Sequence, residues 1–351
     1  MFHRESGYYK TTYAADMALY PLPIARWTVA GIALAMCIAP FFLHEYYISI
    51  INLVLVATVG ALGLNILVGY TGQISIGHAA FMSVGAYTAA NLAVRLDLPF
   101  WITLPAGGLM AAGVGAIVGI PSLRIKGLYL AIATLAAQYL FLFAAQHWES
   151  VTGGDRGLPV TPATFFGLRL DSDVRLYWLI MPITILMCVA AHNLFRTRIG
   201  RSFIAVRERD YSAEVLGIDL LRTKLLAFAI ASFYGGIAGA LMAYFFKVVN
   251  PEQYTFTASI FQLTAIIVGG LGSVLGSILG ALFMVAVPEV LKAVVSAMAG
   301  ADAAKSAIML ASARELVFGL LIVGFLLFEP FGLAEIVRRT RVALKMWPFR
   351  T

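Results

Sequence analysis

The chain is a succession of apolar runs separated by short polar breaks. Runs of spanning or near-spanning length fall at 24–43, 46–69, 76–94, 100–120, 127–146, 176–195, 225–246, 259–271, 274–291 and 312–328. A helix needs roughly 20 apolar residues to cross the hydrocarbon core, so this pattern predicts an all-α, polytopic transmembrane helical bundle of about ten spanning or partly spanning helices. Residues 1–23 then read as an N-terminal segment, 24–328 as the membrane domain and 329–351 as a tail.

One stretch breaks the pattern. From Arg196 to Lys224 the sequence RTRIGRSFIAVRERDYSAEVLGIDLLRTK is strongly charged, and no span requires it. It reads as a docking surface for something in the aqueous phase, with a merely solvated loop as the alternative. Two pieces in it suit helices: Ser202 to Arg209, with Phe203 and Val206 one turn apart, and Ser212 to Leu216. Asp210 or Ser212 suits the start of the second piece, and Gly217 suits the left-handed position after its end. The expected product is a short, stiff knob presenting Val215, Leu216 and Ile218 among charges.

Charge supplies an orientation. Arg196, Arg198, Arg201, Arg207, Arg209, Arg222 and Lys224 crowd the central stretch, and Arg338, Arg339, Arg341, Lys345 and Arg350 crowd the tail. Short loops rich in Lys and Arg stay in the cytoplasm, which places residues 196–224 inside. Alternating from there puts both termini and the Arg124 to Lys126 turn inside as well. The connection from His147 to Arg175, where acidic and basic residues balance, falls outside. With 61% hydrophobic and 12% charged residues and a mean hydropathy of +0.87, this is an integral membrane protein. Its net charge of +7 follows from the topology bias and does not point to nucleic acid. Cys37 and Cys188 each lie in an apolar run and read as small buried hydrophobes, with no disulfide framework and no metal pair.

Two runs are broken. Gly69 to Gly85 holds Thr71, Gln73, Ser75 and His78 between apolar halves, and Val268 to Gly280 holds five glycines. Both are candidate discontinuous helices, because irregular backbone at membrane depth survives only inside protein or along a wet cavity. For the second, close packing along Gly272, Gly276 and Gly280 is the competing reading. Asn65, Gln73 and His78 are candidate pathway groups. Each also has a bland reading, with Asn65 and Gln138 bonding a neighbouring helix and His78 a packed histidine.

Catalytic chemistry is missing from the sequence. It contains no phosphate-binding G-x-x-x-x-G-K-[ST], no H-E-x-x-H and no paired cysteines, so the chain is not expected to be an enzyme or to bind a cofactor. Charges inside the spans are few, each costing about 2.5–3.5 kcal/mol at a helix centre, and Glu289 and Glu315 lie toward segment ends. No chain of midplane carboxylates suggests ion coupling, although backbone carbonyls alone can hold a cation, so a self-sufficient secondary carrier or channel stays as an alternative. A membrane scaffold without transport is the third reading.

AVRERDYSAEVLGIDLLRTKLLAF (Ala205 to Phe228) resembles the coupling-loop motif of the branched-chain amino-acid ABC transporter permeases. LGLNILVGYTGQISIGHAAFMSVGAYTAA (Leu62 to Ala90), RIKGLYLAIATL (Arg124 to Leu135), TGGDRGL (Thr152 to Leu158), IVGGLGSVLGSILGA (Ile267 to Ala281) and EPFGLAEI (Glu329 to Ile336) resemble that family in its order. YAADMALYPLP (Tyr13 to Pro23) is similar to the second, longer permease of the pair. The resemblance implies an importer in the bacterial cytoplasmic membrane, built from two permeases, two ABC ATPases that use ATP and Mg, and a periplasmic substrate-binding protein, all set in membrane lipid. It implies that Arg207, Glu208, Ala213, Glu214, Leu216 and Gly217 form the ATPase-coupling surface, with Asn65, Gln73 and His78 near the pathway. Tyr211 departs from the pattern, which carries a smaller or aliphatic residue there. The cargo implied is a branched-chain or other hydrophobic amino acid, with urea, short amides and aromatic acids as alternatives.

Overall fold

The computed structural model describes residues 23–123, 125, 127–165, 168–299 and 331–346, with Thr12 and a few positions between 316 and 329. Twelve helices of more than one turn occur among the described residues: α1 (Pro23–Phe42), α2 (Glu45–Asn65), α3 (His78–Arg95), α4 (Phe100–Gly119), α5 (Leu128–His147), α6 (Asp173–Arg196), α7 (Arg198–Glu208), α8 (Asp210–Val215), α9 (Leu220–Phe246), α10 (Phe256–Gly269), α11 (Val274–Ala299) and α12 (Gly332–Met346). Helix α2 continues through a π-helical turn, Ile66–Tyr70. Six segments among the described residues are long and apolar enough to cross a membrane, and the apolar α10 is shorter. The apolar runs up to residue 291 coincide with these helices. The Arg124 and Lys126 turn, Glu315, Arg350, most of the 312–328 run and nearly all of the N-terminal segment lie outside the described residues.

Helix α9 is the hub, packing on α4, α3 and α2. Small residues make that possible. A Cβ on Gly85 of α3 would meet the backbone of Gly236 of α9, and one on Gly107 of α4 would stand 2.7 Å from the Gly85 carbonyl oxygen. Three backbones therefore meet where a larger side chain would hold them apart, the small-residue packing that substitutes for a hydrophobic drive within lipid. Helices α10 and α11 pack the same way, with Gly276 and Gly280 against Gly269 and Ala265.

The non-helical parts are short. After a helical turn at Glu149–Thr152, Leu158–Pro159 pairs antiparallel with Val248–Val249, which ties the 147–175 connection to the exit of α9. Cys37 and Cys188 are free thiols, half-buried rather than fully buried as expected.

Candidate functional site

The central polar stretch folds as two helices, close to the expected pieces and differing at their starts. Helix α7 begins at Arg198, four residues before Ser202, because the Thr197 hydroxyl accepts the Gly200 N–H and caps it there. Helix α8 has Arg209 at its N-cap position and no side-chain cap. Asp210 lies instead in the first turn, where its carboxylate accepts a 2.9 Å bond from the buried Lys224 ammonium of α9. Gly217 takes the left-handed conformation foreseen for it, with φ +84°. Phe203 and Val206 face inward. At the tip the side of α8 away from the protein leaves Tyr211, Val215 and Leu216 81%, 86% and 79% exposed. Three large apolar side chains in a stretch this charged, anchored from below by an ion pair, form a rigid apolar knob.

The residues assigned to a coupling surface divide. Leu216 is part of the knob and Glu208, Glu214 and Gly217 are exposed beside it, whereas Ala213 is buried beneath it and supports the surface from behind. Arg207 turns toward the membrane helices: its Nη1 donates a 2.6 Å bond to the Gly69 carbonyl, in the π-helical turn that ends α2. Tyr70, next in that turn, stacks on Phe195 at the end of α6.

Arg207 lands on a joint between broken helices. Helix α10 stops at Gly269 and α11 starts at Val274, and the turn between them needs Gly270 and Gly272 at φ +122° and +74°, conformations that L side chains rarely adopt. Asn65 holds this break against α2. Its Nδ2 donates to the Ser273 carbonyl at 2.9 Å and the Ser277 hydroxyl at 2.7 Å, and its Oδ1 accepts the Gly272 N–H at 2.9 Å. Asn65 is thus a strut between helices, both N–H bonds of its amide being spent on α11 and its turn. The glycine run does both things proposed for it, breaking at Gly270 and Gly272 and packing at Gly276 and Gly280.

From the joint the chain continues without regular secondary structure through Thr71 to Gly77 before α3 begins. Gly69 lies at Gly272, while His78 lies against Gly235 of α9, level with the middle of α2. Side chains alternate along this segment, with Thr71, Gln73, Ser75 and Gly77 buried and Gly72 and Ile74 exposed. Its backbone is held by α5, where the Thr134 hydroxyl accepts the Ile76 N–H at 3.0 Å. The first N–H groups of α3, at Ala79 and Ala80, are satisfied by Ser259 of α10 and Gln138 of α5. Gln138 also donates to the Tyr254 carbonyl, so it bonds neighbours as expected.

What remains is a set of polar side chains short of hydrogen bonds. Gln73, Ser75 and His78 are buried; neither end of the Gln73 amide nor the Ser75 hydroxyl has a hydrogen-bond partner, and the His78 ring lies by the Gly60 backbone without a well-formed bond. The Gln262 Oε1 of α10, beside Gly60, likewise has no partner. Buried polar atoms without partners cost about 1–3 kcal/mol each, and they concentrate where a structure opens or binds. Sequence spacing marks Gln73 and His78. It does not mark Gln262, which only the packing of α10 on α2 brings there, nor the Gly69 carbonyl, which carries no side-chain signal.

Comparison with known proteins shows the family. The family described as "Branched-chain amino acid transport system / permease component" matches residues 46–326. The high-affinity branched-chain amino acid transport system permease protein LivM of Escherichia coli (strain K12) is 34% identical over 67% of this chain and 61% of its own length. LivH of Salmonella typhimurium, a permease protein of the same description, is 26% identical over 61% of this chain and 74% of its own. A probable branched-chain amino acid transport permease protein LivM of Methanocaldococcus jannaschii is 25% identical over 61% and 72%. The chain spans 61% of the length of the Escherichia coli LivM it matches. No solved structure matches it. A bundle of apolar helices with two glycine-broken segments, matched by one family along most of its length, makes this multi-pass membrane protein a member of the branched-chain amino acid transport system permease component family.

Proposed function

We propose that the chain is the membrane-spanning permease subunit of an ATP-binding-cassette importer for branched-chain or other hydrophobic amino acids, in the cytoplasmic membrane of a bacterium. A second permease pairs with it, two ATPase subunits bind and hydrolyse MgATP, and a periplasmic binding protein delivers the cargo. The chain itself is not the enzyme.

The observation that carries this reading is the apolar knob of α8, exposed at its tip and rooted on α9 through Asp210 and Lys224, with Arg207 of the adjoining α7 bonded to the Gly69 carbonyl at the end of α2. A loop that merely satisfied topology would need neither. The knob seats in an ATPase cleft, and its movement passes along α7 through Arg207 to Gly69 and the α10–α11 break. There the non-helical segment with Gln73 and Ser75, and His78 at the start of α3, rearrange, and their polar groups face the passing solute. The lack of charge along this segment suits a cargo with no net charge. The names of the LivM and LivH relatives support branched-chain amino acids.

Mild-detergent purification of the tagged chain from its native membrane tests the proposal. A P-loop ATPase and a second permease should come with it. Recovery of the chain alone, still moving solute on an ion gradient in vesicles, would replace the importer by a secondary carrier.

A further inference from the structure

Helix α12 leaves the bundle at the α10–α11 break. A Cβ on Gly332, which has φ +72°, would stand 2.6 Å from the Gly270 nitrogen, and one on Gly270 would stand 2.9 Å from the Phe331 carbonyl oxygen, so the start of α12 is seated on the turn itself. The level of that turn follows from α11, whose apolar stretch Val274–Lys292 is 19 residues long. A crossing takes roughly 20 residues, so Val274 lies at one edge of the hydrocarbon and the turn just before it lies among the headgroups. Helix α12 therefore starts at the boundary between membrane and water, on the side where Arg207 meets the same turn at Gly272.

Beyond its first turn α12 is covered on neither side. Ile336 and Val337 are exposed, and so are Arg338 and Arg339. Ile336, Val337 and Thr340 share a face with the half-buried Leu333, and the Thr340 hydroxyl is turned back onto the Ile336 carbonyl at 2.6 Å, so no polar group on that face seeks water. Phe331, exposed just ahead of the helix, adds an aromatic ring. The sequence of α12 sets four basic residues, Arg338, Arg339, Arg341 and Lys345, against the single acid Glu335. Glu335 pairs with both Arg338 and Arg339, at 2.6 and 3.3 Å, and Glu329 pairs with Arg339 at 3.2 Å. Those arginine side chains are 73% and 56% exposed, and ion pairs in the open contribute little, so they give way to a better-placed anion.

Water alone would leave Ile336 and Val337 unburied, and hydrocarbon alone would leave the guanidinium groups unsolvated. The boundary between the two satisfies both, which is where a helix with one apolar and one basic face settles. The basic excess selects among headgroups, because a guanidinium fork matches two oxygens of a phosphate with two parallel bonds. We propose that α12 is an interfacial helix that binds anionic phospholipid, with Arg338 and Arg339 on the headgroup phosphates and Phe331, Ile336 and Val337 in the acyl boundary. This site follows from the faces of α12 and the level at which it leaves the bundle, whatever solute the chain transports.

The test is fluorescence of the full chain in nanodiscs, with Cys37 and Cys188 replaced by serine and Val337→Cys labelled with the dye NBD. In discs of phosphatidylcholine mixed with phosphatidylglycerol the emission should shift to the blue and be quenched by lipids that carry a doxyl group high on the acyl chain. In phosphatidylcholine alone both effects should be weak. Each basic side chain near an anionic surface is worth roughly fivefold in binding, so Arg338→Gln with Arg339→Gln should lower the ratio of docked to undocked helix by roughly twenty-five-fold. Should that variant fail to fold, Glu335→Gln reads the charge in the opposite sense and should strengthen docking. High salt should weaken docking, since exposed charges are screened. Emission that stays water-like in the mixed discs overturns the proposal. So does quenching that is as strong in phosphatidylcholine alone and indifferent to the arginines, because the helix then recognises only apolar surface. A blue shift that appears only with a co-purified ATPase and without doxyl quenching also overturns it, and assigns α12 to a protein contact.

Discussion

Arg207 is the residue at which the chain's soluble and membrane parts meet through one side chain. Its guanidinium bonds the Gly69 carbonyl at 2.6 Å, and the helix break at Gly272 adjoins it. A hydrogen bond to a charged group contributes about 1.5–3 kcal/mol, or roughly one to two decades in the balance between two conformations. Arg207→Gln should therefore lower uptake by about tenfold or more while the ATPase still co-purifies, whereas Glu214→Arg, on the exposed face, should release the ATPase. If Arg207→Gln also releases the ATPase, Arg207 is a contact and not a link. Asn65 works one helix turn away. Asn65→Leu strands the Gly272 N–H and the Ser273 carbonyl, at about 1–3 kcal/mol per stranded group, and should lower the thermal midpoint of the detergent-solubilised protein accordingly.

At the scale of elements, two kinds of joint hold the bundle. One is the ion pair that roots α8 on α9, with the Lys224 and Asp210 side chains 5% and 19% exposed. Removing one partner of such a pair costs about 3–5 kcal/mol because the other charge is left buried, so Lys224→Met should destabilise strongly. The Lys224→Met, Asp210→Asn double variant should recover much of the loss, which a double-mutant cycle of unfolding midpoints measures. The other joint is the glycine seam. A Cβ on Gly280 would run into the Ala265 carbonyl, while one on Gly113 would meet open space. Gly280→Leu should part α10 from α11 and sharply lower thermostability. Gly113→Leu should stay within about 0.5 kcal/mol of the parent, the usual range for a surface position; equal losses would mean that the seam does not hold the helices.

For the whole molecule, the knob, the α10–α11 break and the basic helix α12 gather at one end, with Gly270 against Phe331 and against Ala334 of α12. The TGGDRGL turn and the small β-pairing sit at the other. With Cys37 and Cys188 replaced by serine, a single cysteine at Val215 should react with an impermeant thiol reagent only in inside-out vesicles, and one at Asp155 only in right-side-out vesicles. The reverse pattern would invert the topology. The sequence by itself determined the helical, polytopic class and the place of the helices up to residue 291, because each run must satisfy its backbone within itself in lipid, and length plus hydropathy suffice to locate it. It also determined the stiff charged insert and the glycines that must break or pack. Tertiary structure alone decided the roles of the polar residues. Asn65, Gln73 and His78 look alike as lone polar groups in apolar runs, yet Asn65 bonds the α10–α11 break through both its nitrogen and its oxygen whereas Gln73 has no partner, a difference set by which helix lies opposite. Arg207 is one more exposed charge in its loop, and only the approach of the Gly69 carbonyl, a backbone atom with no signature in the sequence, ties it to the membrane helices.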